Sequence, residues 1–340
     1  MKFLSMTLAG SVAIFASAIY AYPAIFKRLL PEPDVVACYA TMITQRSIST
    51  ECAAKLQKDS GTVLGTKMPK FSFDLSTSTP QIASGNVEVS LFTFVPGIPL
   101  PITKASLNFD ILDAGFKACH FNAKEFDVTT EGSTLKFDIP TTPCTVGEGE
   151  QTAFIKAVSD LITKESHAIR MEGQTSVILT FTIPGLGFAS SSIPKLEVPA
   201  VGVSADITLS GINNFGGVIK VQAGSIGQVI NDSAKGTSSI TFKATLQNPS
   251  TNSVVLGAVT GQVSDSTGMP FGTITFKNLK IAAGENLLDV TLTANGPNAL
   301  DKFSQSGSAG LTLAVKFSAD SSTNTLVAGV AANLAFNLSF

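Results

Sequence analysis

The sequence predicts an all-β protein: two tandem immunoglobulin-like antiparallel β-sandwiches preceded by a short helical N-terminal segment. Three observations predict it. Apolar and polar residues alternate with period 2 through many short runs, the pattern of half-buried strands. The second half of the chain repeats the first. The composition, with 28 Gly and 16 Pro in 340 residues, suits many strands joined by turns.

The alternation is clearest in the second half. Ile240, Phe242, Ala244 and Leu246 would face inward, with Thr241, Lys243, Thr245 and Gln247 outward. Leu311, Leu313, Val315 and Phe317 follow the same rule, as do Leu288, Val290 and Leu292. In the first half Leu135, Phe137 and Ile139 alternate with Lys136 and Asp138. Five or more such strands in each copy make a sandwich of roughly 100 to 140 residues.

Four segments recur in the same order, which marks the repeat of a whole domain. NVEVSLFTFVP from Asn86 aligns with SITFKATLQNP from Ser239, and FKACHF from Phe116 with FGTITF from Phe271. GQTSVILTFTI from Gly173 aligns with GSAGLTLAVKF from Gly307. GVSADITL, Gly202 to Leu209, aligns with GVAANLAF, Gly329 to Phe336, so both are expected as the last strand of equivalent sandwiches. The expected division is 1–21 signal peptide or anchor, 22–70 helical segment, 71–211 first sandwich and 212–340 second sandwich.

Helices are few. From Thr152, the residues Phe154, Ile155, Val158, Leu161 and Ile162 share one face at helical spacing, with Lys156 and Asp160 opposite and a cap at Thr152 or just before it. The corresponding place in the second copy is the shorter Pro297 to Ser304. Asp34 to Leu56 reads as a helix outside both sandwiches, and Pro184 to Pro199 as a connector to the last strand of the first copy.

The N-terminus sets the compartment. Lys2 precedes an uncharged stretch from Phe3 to Tyr22 with small residues at its end, Ala18 and Ala21 among them. That is a secretory signal peptide pattern. An uncleaved anchor is the rival, because the stretch runs on to Phe26 before Lys27 and Arg28, and about 20 apolar residues span a bilayer. Lys27–Arg28 reads either as a dibasic processing site or as a flank of the apolar stretch. Four cysteines fit an oxidising space. They allow three pairings, and proximity favours Cys38–Cys52 and Cys119–Cys144. Asn231-Asp232-Ser233 and Asn337-Leu338-Ser339 are N-glycosylation acceptors, Asn231 in a turn and Asn337 in a terminal strand.

At these residues the chain resembles a family. TAFIKAVSDLITKESHAIRMEGQTSV from Thr152 resembles the helix-then-strand end of the fungal domain of unknown function 3712. ITFKATLQNPSTNSVVLGAVTGQV from Ile240, followed by MPFGTITFKNLKIAAGEN, resembles the same domain. It is also similar to the group-2 late-embryogenesis-abundant (WHy-type) sandwich, whose strands carry an Asn-Pro pair like Asn248–Pro249. The resemblance covers about Asn86 to Phe340. It implies repeated immunoglobulin-like sandwiches in fungal membrane or vacuolar-lumen proteins, and no catalytic residues.

Composition narrows the function. A formal net charge of −2 offers no basic face for nucleic acid. No run of Lys and Arg is long enough to hold an anionic membrane surface, so a membrane would be met only through an uncleaved N-terminal anchor. Of the two histidines, His120 between Cys119 and Phe121 reads as structural, and His167 as the dipole partner of a helix C-terminus. Ser204 starts like a nucleophile elbow but lacks the closing Gly, and its counterpart in the repeat is Ala331. Asp110, Asp113, Glu125, Asp127 and Glu131 read as a solvated strand edge, with a calcium cluster or carboxylate pair as the rival. No cofactor and no catalytic or metal-binding residue is expected.

The leading functional expectation is therefore a non-catalytic extracytoplasmic protein, working through protein or cell-wall contacts at the cell surface or in the vacuole. An apolar-ligand carrier is the alternative, suggested by 23 Phe against 3 Tyr and by the run Phe92, Phe94, Val95, Ile98, Leu100 and Ile102. A hydrolase with an unrecognised site is the third.

Overall fold

Period-2 alternation is realised as sixteen strands in a computed structural model that describes residues 63–91, 102–131, 134–180, 195–222, 224–265, 267–296, 299–300, 312–318 and 320–340. The protein is all-β, with two short α-helices among the described residues.

The first eight strands are β1 (Val63–Lys67), β2 (Lys70–Asp74), β3 (Gln81–Leu91), β4 (Ile102–Asp113), β5 (Phe116–Glu131), β6 (Thr134–Thr145), β7 (Ser166–Thr180) and β8 (Lys195–Ser210). The second eight are β9 (Val218–Val221), β10 (Ile230–Asp232), β11 (Thr237–Asn248), β12 (Ser253–Ser264), β13 (Pro270–Ile281), β14 (Gly284–Asn295), β15 (Thr312–Phe317) and β16 (Ala335–Ser339).

The two sets pair by one scheme. β1 and β2 both join β3, as β9 and β10 join β11. β3–β6 matches β11–β14, β4–β5 matches β12–β13, and β5–β6 matches β13–β14. β4–β7 and β7–β8 match β12–β15 and β15–β16.

The scheme is closed differently in each set. In the second, β9 pairs in parallel with β16 and completes a ring of seven strands, β13-β14-β11-β9-β16-β15-β12 and back to β13. In the first, β1 lies beside β8 without a ladder. The hydrogen-bonded sheet then passes from one set to the other through parallel pairing of β2 with β12, Ser72 opposite Ser253 and Asp74 opposite Val255.

Parallel pairing at these two places departs from the antiparallel expectation, and Gly257 explains the second. Its φ of +75° sits at a register shift in β12. An extra residue there bends the strand. One half of β12 can then reach β2 while the other, Gly261 to Ser264, pairs with β15.

Inward residues fall where the alternation placed them. Ile240, Phe242, Ala244 and Leu246 are buried, as are Leu288, Val290, Leu292, Leu313, Val315 and Phe317. Phe276, Phe317 and Phe336 touch one another inside the ring, with centroids 5.7–6.2 Å apart. One apolar core runs through both sets. Each buried Phe or Leu contributes on the order of 1.5–3 kcal/mol.

Helix α1 (Gln151–Thr163) is the helix read from Thr152, and it buries Phe154, Ala157, Val158, Leu161 and Ile162. No side chain caps it. A 3-10 turn, Glu148–Glu150, runs straight into it, and Glu150 Oε2 accepts from Gly147 N at 2.8 Å. The carbonyls at its C-terminal end and just past it, which have no partner within the helix, are met by the chain leaving β8. Gly211 N donates to Glu165 O at 2.8 Å, Ile212 N to Leu161 O at 2.8 Å, and Asn213 N to Lys164 O at 3.0 Å.

Three boundaries drawn from sequence are corrected. Val63–Lys67 and Lys70 are strand, so the helical segment drawn over 22–70 ends inside the first set; residues 22–62 lie outside the described residues. Lys195 to Pro199, read as connector, is the start of β8. Gly329 to Phe336 is not a strand equivalent to Gly202–Leu209. Its first residues end helix α2 (Thr325–Ala331), and only Ala335 and Phe336 belong to β16. Asn324 makes the difference, since its Oδ1 accepts from Leu326 N at 3.0 Å and Val327 N at 3.4 Å and so starts a helix. The expected counterpart of α1 at Pro297 to Ser304 lies almost wholly outside the described residues.

Candidate functional site

The groups best placed for chemistry gather where α1 crosses the ends of β4 and β7. Asp113 ends β4 at a tight turn through Ala114 (φ 50°) and Gly115 (φ 85°). Asp160 follows Lys156 by one turn of α1, and Lys164 follows Asp160 by another. His167 is the second residue of β7.

Asp113 and His167 are buried. Lys156 Nζ donates to Asp113 Oδ2 at 2.7 Å and to Asp160 Oδ2 at 2.8 Å, and Lys164 Nζ donates to Asp160 Oδ2 at 2.8 Å. His167 Nε2 lies 3.4 Å from Asp113 Oδ1, without the alignment of a hydrogen bond. His167 Nδ1 lies 3.9 Å from Asp160 Oδ2.

The charges balance as two ammonium groups against two carboxylates. Burial pulls the His167 pKa below the ordinary histidine value and outweighs the attraction of Asp113 and Asp160, so the ring is held neutral. Hydrogen bonds to Asp113 and Asp160 raise the Lys156 pKa. For Asp160 burial works against ionisation, yet the two lysines overcome it and its pKa is lowered.

Donor atoms of Asp113, Asp160 and His167 come within 4.8 Å of one another, a spacing that could hold a metal ion. Lys156 already bridges both carboxylates, and a divalent ion would add charge to a cluster that is neutral without it. As a base, His167 would need a nucleophile within about 3 Å; its Nε2 instead faces the Asp113 carboxylate. The arrangement is an internally neutralised ion network that fastens α1 to β4 and β7.

Two readings from sequence are corrected here. His167 is not a charged dipole partner of the helix end but a buried, neutral strand residue between two carboxylates. Asp113 belongs to no solvated edge, because the hairpin turn folds it under α1. The spacing of Lys156, Asp160 and Lys164 at i,i+4 was the available signal.

Three of the other four acidic residues of the expected edge make ordinary surface pairs. Asp110 Oδ1 meets His120 Nδ1 at 2.8 Å and Lys117 at 3.2 Å, Glu125 meets Lys104 at 2.6 Å, and Glu131 meets Lys136 at 2.7 Å. His120 stands on β5 beside the disulfide. Cys119 and Cys144 are bonded between β5 and β6, with Cα atoms 5.7 Å apart. Ser204 is exposed on β8. Asn231 is exposed in β10 and Asn337 in β16. Cys38, Cys52, Ala18, Ala21, Lys27 and Arg28 lie outside the described residues, as does the run from Phe92 to Leu100.

A second polar cluster was missed in sequence. The turn after β11 carries Asn248, Ser250 and Asn252, all buried. Asn252 Oδ1 accepts from Phe71 N at 2.7 Å, while its Nδ2 donates to Ser210 O at 2.6 Å. Ser250 Oγ also donates to Ser210 O at 2.6 Å, and Asn248 Nδ2 donates to Asn252 O at 2.8 Å. Thr251 Oγ1 donates to Pro69 O. The Asn-Pro pair of the family resemblance thus opens a turn that ties the second set of strands to β2 and β8 of the first.

An open cleft of about 570 Å³ adjoins this junction, lined by Ser76, Thr260, Ser321, Thr323 and Asn324 among others. Its polar lining is largely hydroxyl and amide. Among the described residues no helix is long and apolar enough to cross a membrane.

No family model matches the chain, and no curated protein does. Among solved structures it is similar to the exo-chitosanase CsxA of Amycolatopsis orientalis, at 13% identity over 68% of this chain with a TM-score of 0.17. A structure described as inhibition of the exo-beta-D-glucosaminidase CsxA by a glucosamine-configured castanospermine and an amino-australine analogue gives the same identity, coverage and TM-score. The match spans 24% of the CsxA chain.

Proposed function

We propose that this chain is a non-catalytic extracytoplasmic protein with a binding or structural role at the cell surface or in the vacuole. It acts as two tandem immunoglobulin-like sandwiches presented at a fixed spacing. The observation that carries the reading is the junction. Two eight-strand sets with one pairing scheme are held together by the β2–β12 ladder and by the buried Asn248–Ser250–Asn252 turn. Such a junction holds two similar surfaces rigidly, as a scaffold or adhesive module needs.

Other features support it. The Asp113–Asp160–His167 cluster is neutralised by its own lysines. Phe276, Phe317 and Phe336 fill the ring where an apolar ligand would lie. The Cys119–Cys144 disulfide suits an oxidising compartment.

The test is fractionation of cells producing the full chain, with cross-linking to wall material and to surface or vacuolar proteins. Recovery in an extracytoplasmic fraction, cross-linked to one of these, is the expected result. Turnover of a glycoside or ester substrate that vanishes in a folded His167→Ala variant would overturn the non-catalytic reading. Recovery in the cytosol would overturn the location.

A further inference from the structure

We infer that Asn231 is the N-glycosylated residue of this protein, that Asn337 is not, and that the glycan shields the edge strand β10. The inference rests on the extracytoplasmic location proposed above. Both asparagines head an Asn-X-Ser sequence and both are exposed, so sequence and exposure do not separate them. The backbone around them does.

Asn231 sits in a strand of three residues, Ile230–Asp232, which pairs only with the first residues of β11 among the described residues. A turn follows immediately. Asp232 Oδ1 accepts from Lys235 N at 3.1 Å, and Gly236 has φ +62°. A short edge strand opening into a turn can detach and enter an enzyme groove at little cost, before or after the rest has folded. Asn337 is the middle residue of β16, paired with Ala314 of β15 on one side and Val218 of β9 on the other. Its neighbours Phe336 and Leu338 are buried in the ring. Presenting Asn337 to a transferase would require opening the ring.

The reaction uses a lipid-linked oligosaccharide and the transferase of the secretory pathway. A bond forms between the Asn231 amide nitrogen and the anomeric carbon of the first sugar. The bond from that carbon to the polyisoprenyl diphosphate oxygen breaks, the diphosphate leaves with the electron pair, and the amide gives up one proton.

The position gives the glycan work to do. Ile230 is 65% exposed, and β10 carries a ladder on one side alone among the described residues; an exposed apolar residue on such a strand invites pairing with another chain. A glycan on the next residue covers both.

The experiment produces the full chain in a eukaryotic secretory host and removes N-glycans with an amidase that leaves Asp at each modified position. Peptide mass spectrometry should find Asp at 231 and Asn at 337. Ser233→Ala should abolish the mass shift of the intact protein, and Asn337→Gln should leave it unchanged. An occupied Asn337, or an unmodified Asn231 in chain recovered outside the cytosol with Cys119–Cys144 oxidised, would overturn the inference. If the chain stays in the cytosol the location fails first, and the same chain behind an established signal peptide isolates the glycan. Modification of Asn231 there upholds the site, and its absence overturns it. The deglycosylated, folded protein should self-associate more in light scattering; identical behaviour would overturn the shielding role.

Discussion

Replacing Asn252 by Ala tests whether the junction turn holds the two sets of strands together. Asn252 is fully buried, and its side chain makes one hydrogen bond to each of two segments of the first set. Phe71 N would lose its partner inside the protein, at a cost of about 1–3 kcal/mol. Ser210 O would keep the bond from Ser250 Oγ, so that loss is nearer a single net hydrogen bond, about 1 kcal/mol. Together these give about 2–4 kcal/mol, a large part of the roughly 5–15 kcal/mol of a whole domain. At about 2–4 °C per kcal/mol for a body of this size, the melting temperature should fall by about 4–16 °C.

Urea titration should show a lower midpoint with an unchanged slope for Asn252→Ala. Ser250→Ala in the Asn252→Ala background should cost more than it does alone, because Ser210 O then loses both donors. A loss under about 0.5 kcal/mol, the range of ordinary surface substitutions, together with strict additivity at Ser250 would refute the reasoning.

Further outcomes follow from close approaches and from charge. A Cβ at Gly211 would lie 2.0 Å from Lys164 O, and one at Gly272 2.1 Å from Thr293 O. Gly211→Ala and Gly272→Ala should each cost about 1–3 kcal/mol or more, since backbone must move; a wild-type melting curve for either would contradict the packing described. The folded His167 pKa lies below its ordinary 6.5, so folding favours the neutral ring. The stability it contributes is complete above that pH and is lost as pH falls, before the carboxylates titrate. His167→Gln should therefore flatten the drop in melting temperature between about pH 6.5 and 5, and an unchanged drop would show that His167 is not its source. Truncation before Leu326 removes α2 and β16, opens the ring between β15 and β9, and strips buried Leu334, Phe336 and Leu338. The second set should then lose its cooperative transition, and the first, stripped of the α2 cover over α1, should melt at a lower temperature. A truncated protein whose second set melts as before would refute the role given to β16.

What the sequence determined by itself is the local pattern. Side chains alternate across a strand, so Ile240 to Leu246 and Leu288 to Leu292 declare strand and inward face without reference to anything distant. The face of α1 was legible for the same reason, from residues a turn apart. The Cys119–Cys144 bond was legible from proximity along the chain. Of the four correspondences read in the sequence, three fall on strands with the same place in the pairing scheme, β3 and β11, β5 and β13, and β7 and β15; the fourth sets part of β8 against the end of α2 and the start of β16.

Tertiary structure decided whatever joins residues far apart in the chain. Gly202–Ser204 and Gly329–Ala331 carry nearly the same residues, yet the first is strand and the second ends a helix, because Asn324 caps α2 and Gly329 meets Ile155 of α1. Local preference in such a segment is weak enough for packing to override it. The meeting of Asp113 with Asp160 and His167, like that of Asn252 with Phe71 and Ser210, depends on which strand lies beside which. Ladders such as β2–β12 and β9–β16 close only when loops of many residues have already brought their ends together, and no local pattern records that closure.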